Sequence, residues 1–332
     1  MEFRDPEEYI NTITTLNREK TEIRRHGTAI GITYIAVLLV GIYWAKAVVF
    51  LLSKLGISQN AFYIAISNTG VLQFVQTLLS LLMFTIPFYL LFKNSKESSN
   101  EIFPLGKAQK ETFLPLVLIG IGFCAFANIA NSVSGQIFLN LGFPDPFQDV
   151  EYPRGVLGFA LTFISTAIMP PLVEEFAMRG AVMGILRKFG DGFAILTSAI
   201  LFGLIHANFE QIVFAAFIGA VLGFVTVKSG SLWTAVLVHS VNNMIFVCNH
   251  YISEKMGTET SNGIYLVILF VSLAVGIIGI YLFAKTGEEA FVLKKADLVS
   301  REKKRYLWFF TSPLIIIAIV LTLFEAIFLR MG

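Results

Sequence analysis

The sequence Pro-Pro-Leu-Val-Glu-Glu-Phe-Ala-Met-Arg-Gly, residues 170–180, follows directly after the apolar run 156–169. A carboxylate left in the middle of a bilayer costs about 3 kcal/mol, even on the scale that gives the smallest penalty. Two adjacent carboxylates, Glu174 and Glu175, therefore indicate the interior of a helical bundle or a water-filled cavity. Ionisable side chains in such a place are candidate functional residues.

The composition of the whole chain places it among membrane proteins. Of its 332 residues, 55% are hydrophobic and 14% are charged, and the mean hydropathy is +0.72. The net charge of +2 is small and the basic residues are spread over several loops, so we expect a lipid bilayer and no nucleic-acid partner. The two cysteines, Cys124 and Cys248, are far apart in sequence and give neither a disulfide framework nor a metal-binding spacing.

Runs of about 20 apolar residues predict an all-α polytopic bundle of about nine transmembrane spans. The predicted spans are 28–52, 70–92, 113–140, 156–173, 193–209, 211–228, 231–250, 263–284 and 306–330. We expect the fourth helix to continue through the glutamates to about Phe189, with a kink at the two prolines. The predicted organisation is an N-terminal cytoplasmic segment with three accessory spans in 1–150, a catalytic core of about four helices in 151–255, and two accessory spans in 256–332.

The distribution of Lys and Arg predicts the orientation. Twenty of the 25 lie in alternate loops that would share one face, and four lie on the other. The segments on the first face are 1–27, 93–112, 174–192, Lys228 and 285–305. Because cytoplasmic loops are enriched in Lys and Arg, the N-terminus is predicted to be cytoplasmic and the C-terminus external. The acidic N-terminus lacks the features of a signal peptide, so we expect the first span to be retained.

Polar residues recur at helical spacing in the fourth span and in two later ones. The pairs are Glu175 with Arg179, Phe202 with His206, and His239 with Asn243. Residues four apart lie on one face of a helix. The connections 207–210 and 228–230 are short, so the helices that they join should be antiparallel neighbours and should bring these pairs together.

The two adjacent glutamates are predicted to have different roles, because neighbouring helix residues point about 100° apart. Glu175 is placed to form a structural ion pair with Arg179, which leaves Glu174 to face a cavity as general base. The alternative is that the span ends at Val173 and that both carboxylates are wetted at the cytoplasmic surface.

Each of the remaining candidates has an ordinary structural explanation. Either histidine, His206 or His239, could be a helix-end residue bonded to a carbonyl, although a neutral imidazole beside Glu174 could also orient water, donate to an oxyanion or bind a metal. Asn243 could be a polar interhelical contact, or could form an oxyanion hole together with His239. Phe202 is expected to be a packing residue.

The ordered set Glu-Glu-x-x-x-Arg, Phe-x-x-x-His and His-x-x-x-Asn resembles the CPBP family of intramembrane proteases. That family includes the CAAX prenyl endopeptidases and bacterial Abi and bacteriocin-immunity-type relatives. The resemblance covers roughly residues 155–251. It implies an endopeptidase of membrane-embedded or lipidated peptides, located in the plasma membrane of a prokaryote. The roles that it implies are water activation by Glu174 and His206, oxyanion binding by His239 and Asn243, and support from Glu175, Arg179 and Phe202.

Members of this family are often described as metalloproteases, and Glu174, His206 and His239 could supply three ligands to a catalytic zinc ion. These residues come from three separate helices without a pair of histidines at i and i+4, so the favoured prediction is water activation without a cofactor. Two other functions stay open. One is a non-catalytic immunity or scaffold protein that retains the fold, and the other is a small transporter with a buried proton-relay carboxylate.

Overall fold

The computed structural model describes residues 6–54, 71–95, 97, 102–140, 155–207 and 209–331. Within these ranges the chain is helical and contains no strand, which confirms the predicted all-α bundle. The helices are α1 Pro6–Lys54, α2 Val71–Ser95, α3 Lys110–Asn140, α4 Gly155–Phe189, α5 Asp191–Leu204, α6 Phe209–Ser229, α7 Leu232–Met256, α8 Thr258–Ala284, α9 Glu302–Phe310 and α10 Pro313–Met331. The predicted loops after the first and third spans, and residue 70 at the start of the second span, lie outside the described residues.

Seven of the described helices are long and apolar enough to cross a membrane, or eight if α9 and α10 count as one span bent by 68°. This is close to the predicted nine and makes the protein an integral membrane protein. The fifth predicted span is represented by α5, which has only 14 residues. A helix of that length extends about 21 Å and is shorter than the roughly 30 Å of a hydrocarbon layer. Its C-terminal end should therefore lie within the thickness of the membrane.

The helix that carries the glutamates lies between two groups of helices. On one side α3, α6, α7 and α8 pack together, and on the other α1 packs against α2, α9 and α10. α4 contacts α2, α5 and α7. A close approach in the first group joins α3 and α8, where a Cβ added to Gly122 would lie 2.4 Å from Cα of Gly276. Small residues at such positions let membrane helices pack backbone to backbone.

The five segments that were predicted to share one face of the membrane meet in the structure. The side chain of Lys188 bonds to Glu22 and Glu97, at 2.7 and 2.8 Å. The remaining contacts join Glu19 to the N–H groups of Val299 and Ser300, Asp191 to Lys294, and Lys228 to the carbonyls of Glu289 and Val292. Asp191 at the start of α5 and Lys228 at the end of α6 lie on this same face. The predicted sides of the segments after α6 are therefore the same whether or not α5 crosses the whole membrane. Which face is cytoplasmic stays a prediction.

Candidate active site

α4 is irregular around the two glutamates. Two π-helical stretches, Phe163–Ile168 and Phe176–Val182, flank the short α-helical segment Met169–Glu175. The helix continues to Phe189, as predicted. π-helical turns are rare and are found frequently at functional sites. The prolines at 170 and 171 contribute to this irregularity because neither has an N–H group to donate to the preceding turn.

Glu175 and Arg179 form an ion pair in the interior of the bundle. Nη1 of Arg179 lies 3.0 Å from Oε1 of Glu175, and both side chains are fully buried. Nη2 of Arg179 donates to the carbonyl of Gly219 at 3.0 Å, which links α4 to α6. The explanation in which both glutamates are wetted at the end of the span is therefore wrong for Glu175. Glu174 differs from its neighbour, because its side chain is 23% exposed.

His239 on α7 lies between the two glutamates. Its Nδ1 is 2.9 Å from Oε1 of Glu175, and its Nε2 is 3.9 Å from Oε2 of Glu174. Because the Glu175 carboxylate is an acceptor in its pair with Arg179, Nδ1 of the imidazole carries a hydrogen and donates it. The ring is buried, and this bond fixes its orientation. Glu175 thus holds His239 as well as Arg179, whereas the sequence predicted only the contact with Arg179.

His206 lies in the turn after α5 and not on the helix itself. Its Nδ1 is 2.8 Å from the carbonyl oxygen of Phe202, so Nδ1 donates and Nε2 carries the lone pair of the neutral ring. This is the carbonyl-bonded, helix-end environment that was one of the two explanations for this histidine. The turn is strained, because Ala207 adopts a φ of 47°, which costs about 1–3 kcal/mol in a residue other than glycine.

Phe202 is a buried packing residue, as expected, and it lies between the two imidazoles. Its ring centroid is 5.0 Å from that of His206 and 5.9 Å from that of His239. The guanidinium of Arg179 lies 4.5 Å from the same ring. The Phe202 ring therefore touches a residue of each of the three motifs and sets the spacing between them.

Asn243 lies one turn beyond His239 on α7, and its carboxamide reaches back to α4. Nδ2 of Asn243 donates to the carbonyl of Thr166 at 3.0 Å, and Oδ1 accepts a hydrogen bond from Nδ2 of Asn242 at 3.2 Å. Both explanations for this residue therefore stay open. Asn243 makes an interhelical contact, and Nδ2 has a second N–H that the bond to Thr166 does not use.

The three residues that could serve as zinc ligands do not form a ready metal site. Across the described parts of the chain, no group of three or more His, Cys, Asp or Glu side chains is arranged to hold a metal ion. Nδ1 of His206 is bonded to a backbone carbonyl and Nδ1 of His239 to a carboxylate, so each ring has only Nε2 left for a ligand. Oε2 of Glu174 and Nε2 of His239 lie 3.9 Å apart, about the largest separation that two ligand atoms of one zinc ion can have. The described residues therefore offer no preformed three-residue metal site, and water activation without a cofactor stays a prediction.

Comparison with known proteins points to the same segment. Residues 156–245 match the model of a family described as type II CAAX prenyl endopeptidase Rce1-like. The resemblance that the three motifs carry is thus confirmed.

The chain is also similar to the protein named "Putative membrane peptidase YdiL" of Bacillus subtilis (strain 168), at 27% identity over 88 residues. This alignment covers 26% of the present chain and 36% of the relative, so the chain spans about a third of the length of the curated relative that it matches. No solved structure matches the chain. The match to the family model therefore supports similarity of residues 156–245 to CAAX-type membrane proteases.

Sequence reasoning missed two features of this site. The first is the bond from His239 to Glu175, which depends on how α7 is rotated against α4 and has no signal in either motif. The second is the acceptor for Asn243. The sequence does contain a signal for this bond. In a helix, the carbonyl of Thr166 would accept from the N–H of residue 170 or 171, and both residues are prolines, which have no N–H group.

Proposed function

We propose that this protein is an intramembrane endopeptidase that hydrolyses peptide bonds of membrane-embedded or lipidated substrates with a water molecule activated by Glu174 and His206. The observation that carries the proposal is the position of His239. It lies beside Glu174 and is oriented by the buried pair of Glu175 and Arg179, within the segment that matches a membrane-protease family.

Glu174 is the general base of the proposed reaction. Its carboxylate takes a proton from water while the water oxygen bonds to the carbonyl carbon of the scissile peptide. As the C–N bond breaks, Glu174 returns this proton to the leaving nitrogen, so that atoms and charges balance at the end of the cycle. Nε2 of His206, the nitrogen that the bond to Phe202 leaves free, accepts a hydrogen bond from the second O–H of the water, which keeps its hydrogen, and thereby orients the attack.

His239 and Asn243 are the proposed donors to the negative oxygen of the tetrahedral intermediate. Because Nδ1 of His239 donates to Glu175, a second donor at Nε2 requires the imidazolium form. In that form the charges of Glu174, Glu175, Arg179 and His239 sum to zero. The free N–H of Asn243 supplies the second hydrogen bond, and one donor of this kind contributes about 10²–10³-fold to the rate in other acyl-transfer enzymes.

The substrate class follows from the depth of the site and from the family. His206 comes after a helix too short to cross the bilayer, so the peptide is cut within the thickness of the membrane. The family description names prenylated CAAX substrates, which makes a prenylated C-terminal peptide the first substrate to test. We place the protein in the plasma membrane of a prokaryote, with a cytoplasmic N-terminus and an external C-terminus.

The test uses purified protein in liposomes and an internally quenched peptide that ends in a farnesylated CAAX sequence. The same peptide without the farnesyl group is the substrate control. Glu325→Gln, which replaces a half-buried glutamate on α10, is the control for Glu174→Gln. We expect wild type and Glu325→Gln to cleave the farnesylated peptide, and Glu174→Gln to lose about 10²–10⁴-fold in kcat. If Glu174→Gln keeps more than a tenth of the wild-type kcat, Glu174 is not the general base. Cleavage of neither peptide by folded wild-type protein would favour the non-catalytic alternative.

A further inference from the structure

The carbonyl of Thr166 in α4 cannot be satisfied by its own helix. In an α-helix its donor would be the N–H of residue 170, and in a π-helix that of residue 171. Both positions are proline, and proline has no N–H group. Thr166 is half-buried, and a carbonyl left without a donor by its own helix is costly where water is scarce, so we expect another donor to reach it. That donor is the carboxamide nitrogen of Asn243 at 3.0 Å.

A chain of carboxamides extends from Asn243 across α7 to α3. Nδ2 of Asn242 donates to Oδ1 of Asn243 at 3.2 Å, and Nδ2 of Asn128 donates to Oδ1 of Asn242 at 2.8 Å. The second hydrogen on Nδ2 of Asn128 goes to the backbone carbonyl of Cys124, also at 2.8 Å. The chain therefore ends on a backbone carbonyl at each end.

These two carbonyls fix which way every amide points. A backbone carbonyl can only accept, so Asn243 must turn Nδ2 towards Thr166 and Oδ1 towards its neighbour. Asn242 must then donate to Asn243 and accept from Asn128. If any one amide were rotated by 180°, two nitrogens or two oxygens would face each other. Aligned hydrogen bonds of this kind also polarise one another and strengthen the donor at the end of the chain.

We propose that Asn128 and Asn242 are positioning residues for Asn243 in the peptidase reaction. They hold its carboxamide in the orientation that presents N–H groups, and not oxygen, to the α4 side of the site. An oxyanion can be stabilised only by a donor, so the reverse orientation would repel it. Asn128 lies on α3, outside the segment 156–245 that matches the family, so this is a contribution of the accessory part of the chain. The proposal rests on the proposed role of Asn243 as an oxyanion donor.

The first test compares three substitutions on α3 by steady-state kinetics with the farnesylated peptide in liposomes. Asn128→Leu removes the amide at similar volume, and Asn128→Asp leaves an acceptor where the chain needs a donor. Asn131→Asp, at a half-buried position one turn further along α3 and outside the chain of carboxamides, is the control for placing a carboxylate in this helix. We expect both changes at Asn128 to lower kcat about tenfold or more while KM changes less than about twofold. The control should keep kcat within about twofold of wild type. An equal loss in the control, or wild-type kcat in both Asn128 variants, would overturn the proposal.

The second test is a double-mutant cycle between positions 128 and 243. If Asn128 acts through Asn243, then Asn128→Leu should lower kcat in the wild-type background and cause no further loss in an Asn243→Ala background. If Asn128→Leu lowers kcat by the same factor in the Asn243→Ala background, Asn128 acts only on the fold and not through Asn243, which contradicts the proposal. Asn242→Ala breaks the same chain from α7 and replaces Asn128→Leu if that variant yields no folded protein.

The cycle also separates this proposal from the proposed function. A loss of kcat in Asn243→Ala with none in Asn128→Leu overturns only the positioning role. Wild-type kcat in Asn243→Ala overturns the oxyanion role of Asn243, and the positioning role with it.

Discussion

Oε1 of Glu175 accepts a hydrogen bond from Nδ1 of His239 at 2.9 Å. The same oxygen is 3.0 Å from Nη1 of Arg179, so one carboxylate atom joins the first motif to the third. A carboxylate bonded to one nitrogen of a histidine fixes the tautomer and the orientation of the ring. Glu175 therefore has a second role besides its ion pair with Arg179. Its bond to Nδ1 of His239 determines that Nε2 is the nitrogen that faces Glu174.

Breaking the buried pair should unfold much of the protein. Arg179→Ala leaves the Glu175 carboxylate buried with only a histidine as partner, and loss of one member of a buried pair costs about 3–5 kcal/mol. We expect a large drop in melting temperature and in the yield of folded protein from membranes. Lys255→Ala removes an exposed pair with Glu254 and should change stability by less than about 1 kcal/mol. Equal melting temperatures for Arg179→Ala and Lys255→Ala would contradict the structural role of the buried pair.

Removal of the imidazole at position 206 should affect activity and not folding. His206 is half-buried in a turn, and its ring bonds only to the carbonyl of Phe202 among the hydrogen bonds that the structure shows for it. We expect His206→Ala to lower kcat by about 10²–10⁴-fold and to leave the melting temperature within a few degrees of wild type. His250→Ala, on α7 about two turns beyond Asn243 and outside the three motifs, is the matched control and should keep wild-type kcat. Wild-type turnover in His206→Ala would show that the histidine only closes the turn.

Activity should survive removal of metal ions. The prediction follows because, across the described parts of the chain, no group of three or more His, Cys, Asp or Glu side chains is arranged to hold a metal ion. We expect prolonged treatment with a membrane-permeant chelator to leave kcat unchanged. Loss of activity that zinc restores, or one equivalent of zinc in purified active protein, would show that the site rearranges around a metal.

Labelling of single cysteines should place the basic face of the protein in the cytoplasm. Cys124 and Cys248 are first replaced by alanine, because both are free thiols. A cysteine at position 303, at the start of α9, should react only with a reagent that reaches the cytoplasm. A cysteine at 331, at the end of α10, should react from outside. External reaction at position 303 would invert the predicted topology.

The helical architecture could be predicted from the sequence because each long apolar run has to form a helix in a membrane. The shared face of Lys188, Lys228 and the segment 285–305 was likewise predictable from the distribution of charge. The short α5 was not predicted, since the predicted span 193–209 continues past Leu204, where the helix ends ahead of a turn in which Ala207 has a φ of 47°.

The members of the site were predictable from spacing, but their bonds were not. Glu175 and Arg179 could be paired because residues four apart must meet on one helix. The bonds of His239 to Glu175 and of Asn243 to Thr166 cross between helices and depend on helix rotation, which no local pattern encodes. The division predicted between residues 1–150, 151–255 and 256–332 stays a prediction.

The central claim is that Glu174 activates water for peptide hydrolysis, and it can be tested without knowing the substrate. Cells that express wild type, Glu174→Gln or Glu325→Gln at matched levels are compared by mass-spectrometric profiling of new N-termini in their membrane proteins. We predict a set of new termini, within or beside membrane-spanning segments or near lipidated ends, that appears with wild type and Glu325→Gln and is missing with Glu174→Gln. Identical sets of termini in wild type and Glu174→Gln would contradict the claim.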